Sequence, residues 1–156
     1  MSNEALHINS FIYNLNADTP AQVLKNIAWR VGRETDIDMT WLADQLLLSE
    51  AREGSGIDGG VAIPHLKSTP LKKPHILVAK LATPVDFGAI DNQLVDIVCL
   101  VLSPQMDGVL HLRRLSRITR LFRESFVLEK LRNVASEKEM AELFRFNQPP
   151  QAVMAA

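Results

Sequence analysis

Histidine is the side chain whose ring changes charge near neutral pH, and its neutral form is a nucleophile. The 156-residue sequence holds four histidines: His7, His65, His75 and His111. His65 has the most directive surroundings, closing the stretch Gly59-Gly60-Val61-Ala62-Ile63-Pro64-His65. The two glycines permit positive φ and close approach of backbone to a ligand. Pro64 fixes its own φ and pushes Ile63 toward an extended conformation, so a strand would deliver His65 at its end in a set direction. Backbone N–H groups at Gly59 and Gly60 could cradle phosphoryl oxygens while the neutral imidazole attacks phosphorus. The same residues equally suit a histidine that closes a strand and bonds to a loop.

His111 opens a helical stripe continued by Leu115, Ile118 and Phe122. Free N–H groups in the first turn of a helix favour an anion. A histidine there can donate a hydrogen bond to a phosphoryl group on His65, or can simply begin the buried face of its helix. Arg113, Arg117 and Arg120 share another face, which suits either an acidic partner or plain solvation. His7 and His75 stand alone and receive no role. Asp91 and Asp96 read as turn chemistry. No HxH, HxxxH or CxxC spacing occurs, so no metal is expected.

These residues must be placed by strands and helices. Residues 8–15 read as a short strand. Thr19-Pro20-Ala21-Gln22 announces a helix, with Thr19 as N-cap, Pro20 at its first position and Gln22 completing a capping box. Val23, Leu24, Ile27, Ala28 and Val31 form its buried stripe. A second helix is expected from about Thr40 to Arg52, stopped by Gly54. Lys67 to Pro74 reads as a polar loop, Ile76 to Leu81 as a strand, and Val85-Asp86-Phe87 as a short extended piece. Val95 to Leu102 is nearly all apolar, as in a central strand covered on both faces, with Ser103-Pro104 ending it. A long helix follows from about Gly108 to Arg123, then a short one capped by Ser125. Ser136 and Glu139 make a capping box for a last helix. Interleaved strands and helices predict a single layered α/β domain, a mixed sheet flanked by helices on both faces. It should span residues 1–146, with 147–156 as a loose tail.

Composition sets the outer limits. Hydrophobic residues make up 47% and charged residues 22%, with net charge −1. That balance gives no general attraction to nucleic acid or anionic membrane. The single cysteine, Cys99, lies in the apolar run, and should be buried and unreactive. No apolar run is long enough to span a bilayer, and no secretion signal opens the chain. A cytoplasmic protein is expected.

Gly60-Val61-Ala62-Ile63-Pro64-His65 resembles the active-site signature of the enzyme IIA domains of the fructose/mannitol class, in the bacterial phosphoenolpyruvate-dependent sugar phosphotransferase system. The likeness continues through Val85-Asp86-Phe87-Gly88-Ala89-Ile90-Asp91-Asn92-Gln93, through Pro104 to His111-Leu112 and Leu115, and through Ser136 to Phe144. It covers roughly residues 8–146, and its wording is most similar to the nitrogen-regulatory branch. The resemblance implies that a histidine phosphocarrier protein phosphorylates His65, that His111 assists, and that no cofactor is needed. In the nitrogen-regulatory branch, phosphorylation state controls regulatory targets. In sugar-transport relatives the phosphoryl group passes to a IIB cysteine. A member that only docks a partner is the other alternative. Two positions depart from the family pattern. Leu66 stands where the family carries glycine, and its bulk could narrow the approach of a donor. The family's arginine–glutamate pair has Ser49-Glu50 at the ungapped position, so nearby Arg52 becomes the candidate arginine.

Overall fold

Alternation in the two longest strands explains the layering. A computed structural model describes residues 6–145, and the expected tail at 147–156 lies outside the described residues. Strands β1 (Ser10–Leu15), β2 (Val61–Ala62), β3 (His65–Thr69), β4 (His75–Val85) and β5 (Val95–Pro104) form one sheet. Along β4, Leu77, Ala79 and Leu81 face one side, and Ile76 and Val78 the other. Along β5 the same alternation separates Val98, Leu100 and Leu102 from Ile97, Cys99 and Val101. Both sets are buried, because each face is covered. Helices α1 (Pro20–Glu34) and α2 (Met39–Arg52) cover one face. Helices α3 (Val109–Leu121), α4 (Ser125–Arg132) and α5 (Glu137–Leu143) cover the other. Cys99 is wholly buried, and burial pushes its thiol pKa far up.

The sheet is mixed, as expected. β4 runs antiparallel to β5, while β1 is parallel to β4, and β2 and β3 are both parallel to β5. β2 and β3 lie end to end along the same edge of β5, with Val61 opposite Ile97 and His65 opposite Val101. They amount to one strand interrupted at Ile63-Pro64. Proline has no N–H to give the ladder, so pairing lapses there, although the Pro64 carbonyl still accepts from Val101 N–H at 3.0 Å. His65 thus begins a strand where the sequence predicted that it would end one. The predicted polar loop starts only after Thr69.

Local signals set most boundaries. Thr19 Oγ1 accepts from Gln22 N–H at 3.2 Å, while the Gln22 side chain accepts from Asp18 N–H, one residue earlier than a capping box would have it. Asp38 caps α2, and Ser136 caps α5. Ser125 is the first helical residue of α4 and not its cap, which is Glu124. The predicted strand at 76–81 extends to Val85 and takes in the start of the expected separate extended piece. Among the described residues, no helix is long and apolar enough to cross a membrane.

Candidate active site

His65 owes its orientation to the break at Pro64. Its Nδ1 lies 2.9 Å from the carbonyl oxygen of Ile63. A carbonyl can only accept, so Nδ1 carries a proton, and in the neutral ring the lone pair is on Nε2. The ring is half-buried beside an open cleft. Leu46, Ser49 and Glu50 of α2, with Glu53 at its C-cap, form one wall of that cleft, Gly54 and Ser55 its floor, and Leu115 and Thr119 of α3 the opposite wall. Glu50 holds the floor: its carboxylate accepts from Ser55 N–H at 3.0 Å and from Ser55 Oγ at 2.6 Å. Among the described residues, no lysine or arginine lines the cleft.

His111, in the first turn of α3, comes next to His65 by packing of α3 on the sheet. The two ring centroids are 5.5 Å apart with planes inclined by 43°. His111 is 2% exposed, so it lies behind His65 and not at the rim where a shallow shared site would put it. Its Nδ1 is 2.6 Å from Ser103 Oγ, and that oxygen accepts from Arg114 Nη1 at 2.6 Å. Arg114 in turn pairs with Asp107 at 3.0 Å. Burial lowers the His111 pKa to about 4, helped by His65, Arg114 and Lys67 and opposed by Asp107. The ring is therefore neutral at pH 7 and able to donate from one nitrogen only.

The glycine pair belongs elsewhere. Residues 55–63 form a hairpin, with Ile63 N–H bonded to the Ser55 carbonyl at its base and Ile57 N–H to the Val61 carbonyl near its tip. Gly59 and Gly60, at φ of 76° and 81°, make the tip, and His65 lies beyond the base. The intervening extended residues, at about 3.3 Å each, separate the two ends. The Gly59 N–H is already donated to Asp91 at 3.0 Å, and the Gly59 carbonyl accepts from Arg132 Nη2 at 2.7 Å. A Cβ on Gly60 would meet Arg132 Nη2 at 2.7 Å. The expected phosphate cradle is thus a packing device that admits Arg132, and Gly54-Ser55 is the backbone beside His65. Asp96, expected in a turn, lies in β5 and binds Arg132 through both oxygens at 2.8 Å.

Arg52 sits exposed in the last turn of α2 and is absent from the cleft lining, which Ser49, Glu50 and Glu53 reach instead. Leu66 points away from His65. Strand alternation turns it to the other face, where it packs on the α1–α2 core, so it does not obstruct the cleft. The same alternation returns Lys67 to the His65 face, near enough to depress the His111 pKa. Sequence reasoning missed Lys67, Ser103, Asp107 and Arg114. For Ser103 a signal existed: it continues the buried alternation Ile97, Cys99, Val101, where an apolar residue would be ordinary. Arg114, three residues after His111, shares its stripe and is 4% exposed, unlike Arg113 and Arg120.

Comparison with known proteins bears on the family and the fold. Residues 4–146 match the family model described as phosphoenolpyruvate-dependent sugar phosphotransferase system, EIIA 2. A nitrogen regulatory protein of Bradyrhizobium diazoefficiens is 36% identical over 118 residues, 76% of this chain and 77% of that protein. A fructose-specific EIIA component of the phosphotransferase system in Haloferax volcanii is 30% identical over 122 residues, 78% of this chain and 78% of that protein. Among solved structures, the nitrogen regulatory protein IIA-Ntr from Neisseria meningitidis superposes with a TM-score of 0.78 at 22% identity, covering 86% of this chain and 91% of that one. The mannitol IIA of Escherichia coli gives 0.72 at 15% identity, covering 85% and 94%. At those identities the structural likeness speaks for the fold alone.

Proposed function

Since the chain belongs to the EIIA type 2 family of the phosphoenolpyruvate-dependent sugar phosphotransferase system, we propose that it is a cytoplasmic phosphoryl carrier whose His65 Nε2 accepts a phosphoryl group from a histidine phosphocarrier protein. The observation that carries this is the His65 Nδ1–H bond to the Ile63 carbonyl, which leaves Nε2 as the attacking atom beside an open cleft. In the reaction the donor's N–P bond breaks and an N–P bond forms at His65 Nε2, in line. The donor ring, protonated on its other nitrogen, leaves as neutral imidazole. His65 takes up the positive charge, which the Ile63 carbonyl stabilises at Nδ1–H. Positioning and electrostatics dominate such transfers. His111, 5.5 Å away between centroids and neutral, supplies a hydrogen-bond donor to the transferred oxygens. Lys67 adds positive charge on the same face.

The nitrogen-regulatory names of the relatives support an output through regulatory targets. A second reading, a module that docks a partner without transfer, draws on one observation: among the described residues Glu50 and Glu53 line the cleft and no lysine or arginine does. Relatives named for fructose support a third, in which the phosphoryl group goes on to a IIB cysteine. Incubation with an active phosphorelay, read by intact mass under conditions that preserve phosphohistidine, separates them. Wild-type protein should gain one phosphoryl group and His65→Ala none. His111→Ala should accept it roughly a hundredfold or more slowly, through loss of one preorganised donor. Wild-type protein that stays unmodified would overturn the carrier reading, and a phosphorylated wild type that hands its group to a IIB cysteine would favour the third.

A further inference from the structure

We propose that Ser103 and Arg114 are positioning residues that hold His111 with its proton on Nε2, the nitrogen left to meet a phosphoryl group on His65. The argument is one of donors and acceptors. A guanidinium has no acceptor, so at 2.6 Å Arg114 Nη1 must donate to Ser103 Oγ. The Ser103 hydroxyl keeps one proton of its own, and His111 Nδ1 stands 2.6 Å from the same oxygen. With the hydroxyl proton given to Nδ1, that nitrogen is an acceptor and the neutral ring carries its hydrogen on Nε2. The other tautomer would bring Nδ1–H and the Arg114 N–H together on one oxygen. It would also aim the hydroxyl proton into a region where Ser103 is 0% exposed. That tautomer leaves two buried polar groups unpaired, the hydroxyl proton and the Nε2 lone pair, where the Nε2–H tautomer leaves only Nε2–H, so the Nε2–H tautomer is favoured.

The rest of the chain of contacts agrees. Asp107 pairs with Arg114 at 3.0 Å, which fixes the guanidinium and offsets its charge. His111 Nε2 is buried and has no hydrogen-bond partner among the described residues. That is the donor a phosphoryl oxygen on the neighbouring ring would satisfy. Two of the groups lie on different elements, Ser103 at the end of β5 and Arg114 on the second turn of α3. The arrangement therefore also fixes how α3 sits on the strand.

The inference rests on the proposed role of His111, yet its first test needs no phosphoryl donor. Long-range proton–nitrogen spectra of full-length protein labelled with nitrogen-15 histidine report which ring nitrogen is protonated. His111 is assigned by its absence from the His111→Gln spectrum. At pH 7 wild-type His111 should be the Nε2–H tautomer, and an Nδ1–H tautomer or a charged ring overturns the proposal. Ser103→Ala should lower the Nε2–H to Nδ1–H ratio at least tenfold, the effect of about 1.4 kcal/mol. Ser103→Thr, which keeps the hydroxyl, should restore it. An unchanged tautomer in folded Ser103→Ala removes Ser103 from the role. In the relay assay Ser103→Ala should slow uptake about tenfold and Ser103→Thr should recover it; a slowed Thr variant with the native tautomer would reject the positioning role. If wild-type protein takes up no phosphoryl group at all, the carrier reading fails while the tautomer result stands on its own.

Discussion

Acidification should destabilise this protein through His111 by an amount that its burial sets. The unfolded chain presents an ordinary imidazole with a pKa of about 6.5. In the folded protein the ring is 2% exposed, and its pKa falls to about 4. Between those values the unfolded chain binds a proton that the folded chain refuses. Folding stability therefore rises with pH through this window, is complete above about pH 6.5, and is lost as pH falls toward about 4. A tenfold change in proton affinity is worth about 1.4 kcal/mol, so the distance from about 6.5 to about 4 corresponds to about 3 kcal/mol. A domain of this size has on the order of 5–15 kcal/mol in all. His111→Gln replaces the ring by a side chain that does not titrate. Urea unfolding of both proteins, followed by circular dichroism and the fluorescence of Trp29 and Trp41, should be run at several values from about pH 7.5 to about pH 4. The stability of wild type minus that of the variant should fall by about 3 kcal/mol across the range. His75 and Glu34, whose pKa values are also lowered, remain in both proteins and cancel in the difference. A difference that stays flat would mean that the His111 ring does not resist protonation, and the neutral-donor role would go with it.

Three further outcomes are expected. Cys99, wholly buried and with its thiol pKa pushed up, should resist a thiol reagent in native protein and react at once in urea; fast native labelling would contradict the central placement of β5. Gly60→Ala should destabilise by roughly 1–3 kcal/mol in urea melts, because φ of 81° strains any L side chain and the new Cβ would press on Arg132. Arg52→Ala should change the relay rate no more than about twofold, since Arg52 is exposed and outside the cleft lining; a hundredfold loss would show that α2 moves in the transfer complex.

The sequence by itself determined the layers and singled out the two histidines, His65 and His111, that the fold brings together. Alternation in Ile76 to Leu81 and the apolar run from Val95 to Leu102 are local patterns with period 2, and the stripes of α1 and α3 are local patterns with period 3.6. Pro64 before His65 is a covalent restriction on the backbone, visible without any partner. Tertiary structure decided what lay between elements. Glycines at 59 and 60 permit positive φ in any setting, but only the folded hairpin places them at the tip, against Arg132 and away from His65. Leu66 and Lys67 take opposite faces because β3 is a strand, and that depends on pairing with β5. The link from Arg114 through Ser103 to His111 joins a helix to a strand end. Hydrogen bonds of that kind follow from how α3 packs on the sheet, and no spacing in the chain specifies them.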